Sequence, residues 1–236
     1  MRWEFTPDEF MYVWGEIGAD RIPAPLVVVP SVRWRDEWDA LVANLRQHLS
    51  VRDDPDLSAV LHLAASPDTA ITVIGTRGDP IRLYCAVIQQ SAVALAQMPG
   101  STAEVGGNVV IRTGTAESVV SWVARFAGDR PAGSTPKMTE SVDVLHSPAQ
   151  ALGLDYGEVS TTDRMHELLT TPRSGQGHIE VVRGHHGDDP ARRYLSWFDA
   201  EGDGRYVYRY GRGLLAVEPC SSARFDRIVS RLIGPS

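Results

Sequence analysis

Lysine is almost missing from this chain. Of its 23 basic residues only Lys137 is a lysine. The others are arginines, which suit carboxylate recognition and stacking on aromatic rings. The formal net charge is −7. This charge argues against general nucleic-acid binding, which needs a basic face.

Cysteines and long apolar runs are also scarce. Two cysteines, Cys85 and Cys220, are too few for a disulfide framework, and we interpret both as small core residues. No stretch approaches the uninterrupted apolar run of a membrane helix. Residues 1–7 lack the basic-then-apolar order of a secretory signal. We therefore expect a cytoplasmic protein without membrane insertion.

The sequence motifs of common enzymes are absent too. The chain has no Gly-x-Ser-x-Gly elbow, no Walker loop, no Gly-x-Gly-x-x-Gly after a strand and no His-Glu-x-x-His. The candidate metal ligands are His178, His185, His186, Asp188 and Asp189. We interpret them as part of a solvated loop, because a closed metal site needs ligands on a rigid scaffold. No catalytic residue, cofactor or metal is expected.

Residues 199–204 resemble the opening of a calcium loop, with oxygen-bearing side chains at alternate positions and glycine at the sixth. The twelfth position, where such a loop needs a bidentate glutamate, is Tyr210. The stretch therefore favours a tight β-hairpin between two strands.

The last sixty residues predict four strands and a closing helix. The strands are expected at residues 178–183, 193–199, 205–210 and 214–218, joined by turns at 201–204 and 211–213. Ser221 or Ser222 can cap the helix. Its apolar residues fall at helical spacing, at Phe225, Ile228, Val229, Leu232 and Ile233.

An earlier stretch repeats this order. Strands are predicted at residues 70–74, 81–89, 92–97 and 109–111, with a turn at 76–80 and a helix capped by Thr115. If Ile71 corresponds to Ile179 and Gly128 to Gly234, the two spacings differ by only two residues. The matched order and spacing predict a duplicated module.

The remaining segments complete a single α+β domain. Thr6 is predicted to cap a first helix. Two further helices are predicted at residues 35–50 and 57–65, and a strand or buried segment at residues 27–29. Short helices are expected near 148–154 and 162–170. The expected organisation is an N-terminal half (1–128), a linker (129–147) and a C-terminal half (148–236). A long, mostly antiparallel sheet would carry a quasi-twofold axis.

Both ends of the chain resemble one family. The opening carries Thr-Pro-Asp-Glu-Phe at 6–10 and Arg-Ile-Pro-Ala-Pro-Leu at 21–26. The ending carries Ser-Gly-Gln-Gly-His-Ile at 174–179, the stretch 199–206, and Val-Glu-Pro at 217–219. These stretches resemble the EspG proteins, secretion-associated chaperones of type VII (ESX) systems in actinobacteria.

The resemblance implies an antiparallel sheet flanked by helical bundles and a cytosolic, non-enzymatic protein. It also implies binding to the helical tip of a PPE protein in a PE–PPE heterodimer, which keeps that cargo soluble before export. Without cargo, a monomer or weak homodimer is expected. The family's cargo-binding loop would correspond here to residues 75–80. The candidate partner-binding residues are Thr76, Arg77, Gly78, Asp79, Trp197, Tyr206, Tyr208 and Phe225.

Two other functions stay open at this point. One is a small-molecule-binding or enzymatic α+β domain with a pocket on the sheet, suggested by the histidines between 178 and 186 and by the 199–203 hairpin. The other is a structural component that associates with itself through an exposed sheet edge.

Overall fold

A computed structural model describes residues 1–146, 160–184 and 189–234. In this part of the chain there are ten strands and seven helices. The strands are β1 Arg2–Phe5, β2 Thr69–Arg77, β3 Asp79–Ile88, β4 Ser91–Pro99, β5 Gly106–Thr115, β6 Met138–Ser141, β7 Arg173–Arg183, β8 Ala191–Ala200, β9 Arg205–Gly211 and β10 Leu214–Pro219. The helices are α1 Pro7–Glu16, α2 Arg35–Leu45, α3 Pro55–Ala65, α4 Ser118–Ala127, α5 Val142–Leu145, α6 Thr161–Thr170 and α7 Ser222–Ile233.

The ten strands form one antiparallel sheet in the order β1-β5-β4-β3-β2-β7-β8-β9-β10-β6. Its two central strands are β2 and β7, where Val73 lies opposite Ile179. The predicted α+β class with a long antiparallel sheet is confirmed.

The order of the strands has a quasi-twofold symmetry about the β2–β7 pair. Strands β2 to β5 followed by α4 form one module, and β7 to β10 followed by α7 form the other. The repeat extends further than the sequence predicts, because β1 lies outside β5 as β6 lies outside β10. The helices α4 and α7 contact each other on one face of the sheet.

Alternation along the strands buries both faces of the sheet. Against α4 and α7 the sheet packs side chains such as Leu83, Ile179 and Trp197. The other face is divided. Helices α1 to α3 cover its N-terminal half, with Phe10 and Leu61 in the core, and α6 covers the far C-terminal part, with Met165 against Phe198.

Local sequence explains several of these boundaries. Thr6 caps α1 in a capping box with Glu9. Ser221 caps α7 by accepting a hydrogen bond from the Arg224 amide. The β9–β10 turn has positive φ at Arg212 (53°) and Gly213 (75°), as a two-residue hairpin requires.

The expected loop at residues 75–80 is instead almost entirely strand. Arg77 pairs directly with Asp79 and Thr76 with Pro80, so the two strands are joined at Gly78 alone. Gly78 has φ of 73°, a conformation that glycine adopts at little cost. The segment is therefore a tight hairpin tip.

The expected linker at 129–147 also has regular structure. It contributes β6, which pairs with β10 from Leu214↔Ser141 to Val217↔Met138, and then α5. Before β6, the Arg205 amide donates to Pro131 O and the Gly133 amide donates to Arg205 O. The Gly- and Pro-rich composition of this segment predicted a linker, but backbone hydrogen bonds to the sheet fix its course.

Other boundaries differ from the sequence expectations. Helix α2 ends at Leu45, residues 27–29 are not in a strand, and Glu117 rather than Thr115 precedes α4. Helix α6 is capped by Ser160. The helix expected near 148–154 lies outside the described residues.

Candidate functional site

An open strip runs across the middle of the sheet on its divided face, between the helices α1 to α3 and the helix α6. Cross-strand pairing places one row of side chains across four strands at Ile74, His178, Ser196 and Tyr208. A neighbouring row contains Thr72, Glu180 and Tyr194. Directly paired residues share a face. We define the open strip as these residues together with Tyr210: Thr72, Ile74, His178, Glu180, Tyr194, Ser196, Tyr208 and Tyr210.

Apolar and aromatic side chains in the open strip reach solvent. Ile74 is 50% exposed, Tyr194 51% and Tyr210 70%. Large apolar groups exposed on a strand interior are unusual, because each strand normally turns them toward a core. Polar side chains surround them, and this pattern of apolar anchors in a polar rim is typical of protein interfaces.

Contacts within the open strip position four of its side chains: His178, Glu180, Tyr194 and Ser196. The rings of His178 and Tyr194 stack with centroids 5.5 Å apart. His178 Nδ1 lies 2.8 Å from Ser196 Oγ. The Glu180 carboxylate accepts a hydrogen bond from the Arg192 guanidinium at 2.5 Å. A partner would therefore meet a surface on which these four side chains already have their partners, which lowers the entropic cost of ordering them on binding.

The hairpin tip predicted as a binding loop continues from the open strip. Thr76 follows Ile74 by two positions along β2 and so points to the same face. Thr76, Arg77, Gly78 and Asp79 are all exposed. The Arg77 side chain lies against Gly128, where it occupies the space that a Cβ atom would need. The structure thus joins these four candidate residues to the sheet surface.

The aromatic candidates divide into buried and accessible residues. Trp197, Tyr206 and Phe225 are at most 1% exposed. Trp197 packs edge-on against Phe225 beneath α7, and Tyr206 stacks on Phe198 beneath α6. This burial corrects the expectation for these three rings, which belong to the core and cannot touch a partner. Tyr208 is half-buried and lies in the open strip.

Sequence reasoning did not select Thr72, Ile74, Glu180 and Ser196, and it considered His178 as a metal ligand or as part of a small-molecule pocket, not as a partner-binding residue. Ile74 did carry a signal. It follows Ile71 and Val73, which face the α4–α7 side, so strand alternation turns it to the opposite face. The sequence of β2 alone does not predict whether a helix covers that face.

The hairpin between β8 and β9, expected from residues 199–204, is confirmed, and its acids have structural contacts. Asp199 forms a buried ion pair with Arg205, with Arg205 Nε 2.7 Å from Asp199 Oδ1. Asp203 accepts hydrogen bonds from the Tyr206 hydroxyl at 2.5 Å and from the Ser134 amide at 2.8 Å. Partial burial opposes ionisation of Asp203, but these hydrogen bonds outweigh it and lower its pKa.

Neither thiol is placed as a nucleophile or a metal ligand. Cys85, in β3, and Cys220, directly after β10, are both buried, as predicted for core residues. Burial raises the pKa of Cys85, and it raises that of Cys220 to about 11. Among the described residues, no group of three or more His, Cys, Asp or Glu side chains is arranged to hold a metal ion. His185, His186 and Asp188 lie outside the described residues.

Comparisons with known proteins agree with the resemblance at the two ends of the chain. The model of the EspG family matches residues 6–231, almost the whole length. A search of curated proteins gave no match. Within the described part of the chain, no helix has both the length and the apolar character needed to span a membrane.

Proposed function

Because the chain belongs to the EspG family of ESX secretion-associated chaperones, we propose that it binds the helical tip of a PPE protein within a PE–PPE heterodimer. Binding would cover an apolar surface of the cargo and keep it soluble in the cytoplasm until export. The open strip, together with the hairpin tip at residues 76–79, is the proposed contact surface.

The observation that carries this proposal is the exposure of Ile74, Tyr194 and Tyr210 close together on one face of the sheet. An apolar helical tip needs a surface with a few apolar anchors, and anchors of this kind supply most of the binding energy in protein interfaces. The polar neighbours Thr72, Glu180 and Ser196 provide a rim that stays hydrated without cargo. Trp197 and Phe225 contribute by supporting β8 from beneath.

Co-expression with PE–PPE pairs from the same genome provides the test. We expect a stoichiometric, non-covalent complex that survives affinity purification and gel filtration. Replacing Ile74 by serine removes an apolar anchor that is 50% exposed. We expect this variant to bind cargo at least about tenfold more weakly, a change of ~1.4 kcal/mol.

A matched control is Met98→Ser. Met98 is 49% exposed and lies on the opposite face of the sheet, beside Val110 and Phe126. This variant should bind cargo as the unmodified protein does. Equal losses in the two variants would count against the open strip as the contact surface. If no PE–PPE pair from the genome forms a complex, the proposed function itself fails.

A further inference from the structure

The sheet is split between β8 and β9. These strands pair only next to their hairpin, from Asp199↔Arg205 to Ser196↔Tyr208. Residues 191–195 of β8 still pair with β7, and residues 209–211 of β9 still pair with β10. The two strands therefore diverge, and on the side that faces the other strand each has a stretch of backbone without a ladder partner among the described residues.

The duplicated fold does not require this split. In the N-terminal module the corresponding strands β3 and β4 pair continuously, from Ile88↔Ser91 at the hairpin to Arg82↔Gln97. The equivalent pair in the C-terminal module stops after four positions. An unpaired strand edge inside a sheet is costly unless water or a ligand satisfies its polar groups. The split is therefore a specific feature of the C-terminal module and not a consequence of the shared fold.

A cleft of about 730 Å³ occupies the split. Its size falls within the range of about 300–1,000 Å³ that is typical of ligand sites. The described residues that line it include four arginines and no acidic residue: Arg192, Arg193, Arg209 and Arg231. In a chain with a net charge of −7, this is a local concentration of positive charge.

The two walls of the cleft differ in chemistry. Arg193 and Arg209 point to the face that carries α7, where the last turn of α7 adds Arg231. Tyr194 and Tyr210 point to the other face. A strand lying in the split would also alternate its side chains between these faces. Its odd and even positions would therefore meet arginines on one side and tyrosines on the other.

Some of this charge is already engaged. Arg192 is paired with Glu180, and Arg193 donates to the Arg231 carbonyl at 3.3 Å, near the end of α7. The guanidinium groups of Arg209 and Arg231 have no hydrogen bond or ion pair with the described residues. These two groups, both on the face that carries α7, are available to a carboxylate.

We propose that the β8–β9 cleft binds an extended acidic segment of a partner polypeptide. The segment adds as a strand along the free edge of β8 at residues 191–195. Its carboxylates alternate with apolar side chains, so that the carboxylates reach Arg209 and Arg231 while the apolar groups lie on Tyr194 and Tyr210. Main-chain hydrogen bonds supply affinity, and the alternation supplies specificity. This site shares Tyr194 and Tyr210 with the open strip. It does not depend on the proposed contact with a helical tip, because the acidic peptide is bound in the absence of any PPE protein.

Fluorescence anisotropy with a short labelled peptide in which glutamate alternates with valine tests the proposal on the full chain. We expect saturable binding that weakens as salt is raised, because exposed charges are screened. A peptide with glutamine in place of glutamate should bind at least about tenfold more weakly. In hydrogen exchange, bound peptide should protect the amides of residues 191–195.

The chain offers a matched set of variants. Arg209→Gln and Arg231→Gln should each reduce affinity for the acidic peptide about tenfold or more. Arg125→Gln is the control, since Arg125 lies in the last turn of α4 as Arg231 lies in the last turn of α7. It should bind peptide like the unmodified chain. Gel filtration and circular dichroism of each variant would show that the fold is retained.

Three results would overturn the proposal. The first is no saturable binding of the acidic peptide at low salt. The second is displacement by citrate as effective as displacement by unlabelled peptide, which would indicate a site for small anions. The third is binding without protection of residues 191–195, which would place the peptide away from the β8 edge.

Discussion

The least exposed charges in the described molecule belong to Asp199 and Arg205, each 1% exposed. Besides its two contacts with Asp199, Arg205 donates to the Ala127 carbonyl at 2.6 Å and to the Gly128 carbonyl at 2.9 Å. These carbonyls end α4, so the guanidinium also interacts favourably with the helix dipole. One side chain thus ties the second module to the end of the first.

Replacing Arg205 by alanine should destabilise the protein by roughly 3–5 kcal/mol, since it removes the close partner of the buried Asp199 carboxylate. Only Arg130, whose Nε lies 3.8 Å from Asp199 Oδ2, would then remain beside this charge. The measurement is the free energy of unfolding in urea. Arg2→Ala is the control, because the Arg2–Glu4 pair is about half exposed. Exposed pairs contribute about 0–1 kcal/mol. If Arg205→Ala lowers the free energy of unfolding no more than Arg2→Ala does, the buried ion pair contributes no more to stability than the exposed one.

At the scale of elements, α7 depends on its amphipathic sequence and on its cap. Phe225 and Val229 are buried against the sheet, while Ser230 and Arg231 are exposed. The Ser221 hydroxyl accepts from the Arg224 amide at 3.4 Å, and the Phe225 amide donates to the Ser221 carbonyl at 2.8 Å. Ser221 therefore sets where the helix starts and how its apolar residues face Trp197.

Ser221→Ala should lower the free energy of unfolding by about 0.5–2 kcal/mol, the usual effect of losing an N-cap. Thermal and urea unfolding would measure the loss. Ser230→Ala introduces the same chemical change at an exposed position within the helix. There alanine is the better helix former, so little change or a slight gain is expected. A similar loss in both variants would argue that the cap contributes nothing.

At the scale of the whole molecule, the two modules form one continuous sheet and share one hydrophobic core. Their central strands β2 and β7 pair from Thr69↔Arg183 to Thr76↔Gln176. One core contains residues of both modules beneath α4 and α7. Separating the halves would expose the apolar face of each helix and the edges of both central strands. We therefore expect the single-domain organisation predicted from the sequence.

Equilibrium unfolding tests this expectation. Five of the six tryptophans lie before residue 129, and Trp197 alone reports on the C-terminal half. Tryptophan fluorescence, far-ultraviolet circular dichroism and calorimetry should show one coincident transition. A second transition that is seen only in a variant keeping Trp197 as its single tryptophan would indicate that the halves unfold independently.

Much of the fold could be predicted from local patterns. The order of strands in each module, the hairpins at 201–204 and 211–213, and helices α1, α3 and α7 follow from alternation, turn residues and caps. These signals are local, so a single sequence carries them. The edge strands β1 and β6 were missed because four residues are too few for a pattern. Strand β6 was also hidden in a segment whose composition is typical of a linker.

The candidate site was predicted only in part. The hairpin tip at Thr76 to Asp79 is exposed, and Tyr208 lies on the open strip, but Trp197, Tyr206 and Phe225 are in the core. Alternation within β8 and β9 shows which aromatic residues share a face. It does not show which face receives a helix. That depends on how far α3 and α6 extend over the sheet.

The sequence by itself determined the family, the α+β class and the duplicated order of strands, because these rest on periodicity, turn chemistry and matched spacing. Only the tertiary structure decided that Ile74 and Tyr194 remain uncovered, that Asp199 meets Arg205, and that β8 separates from β9. Each of these features joins residues of different elements. Their positions follow from packing across the sheet, which no local pattern records.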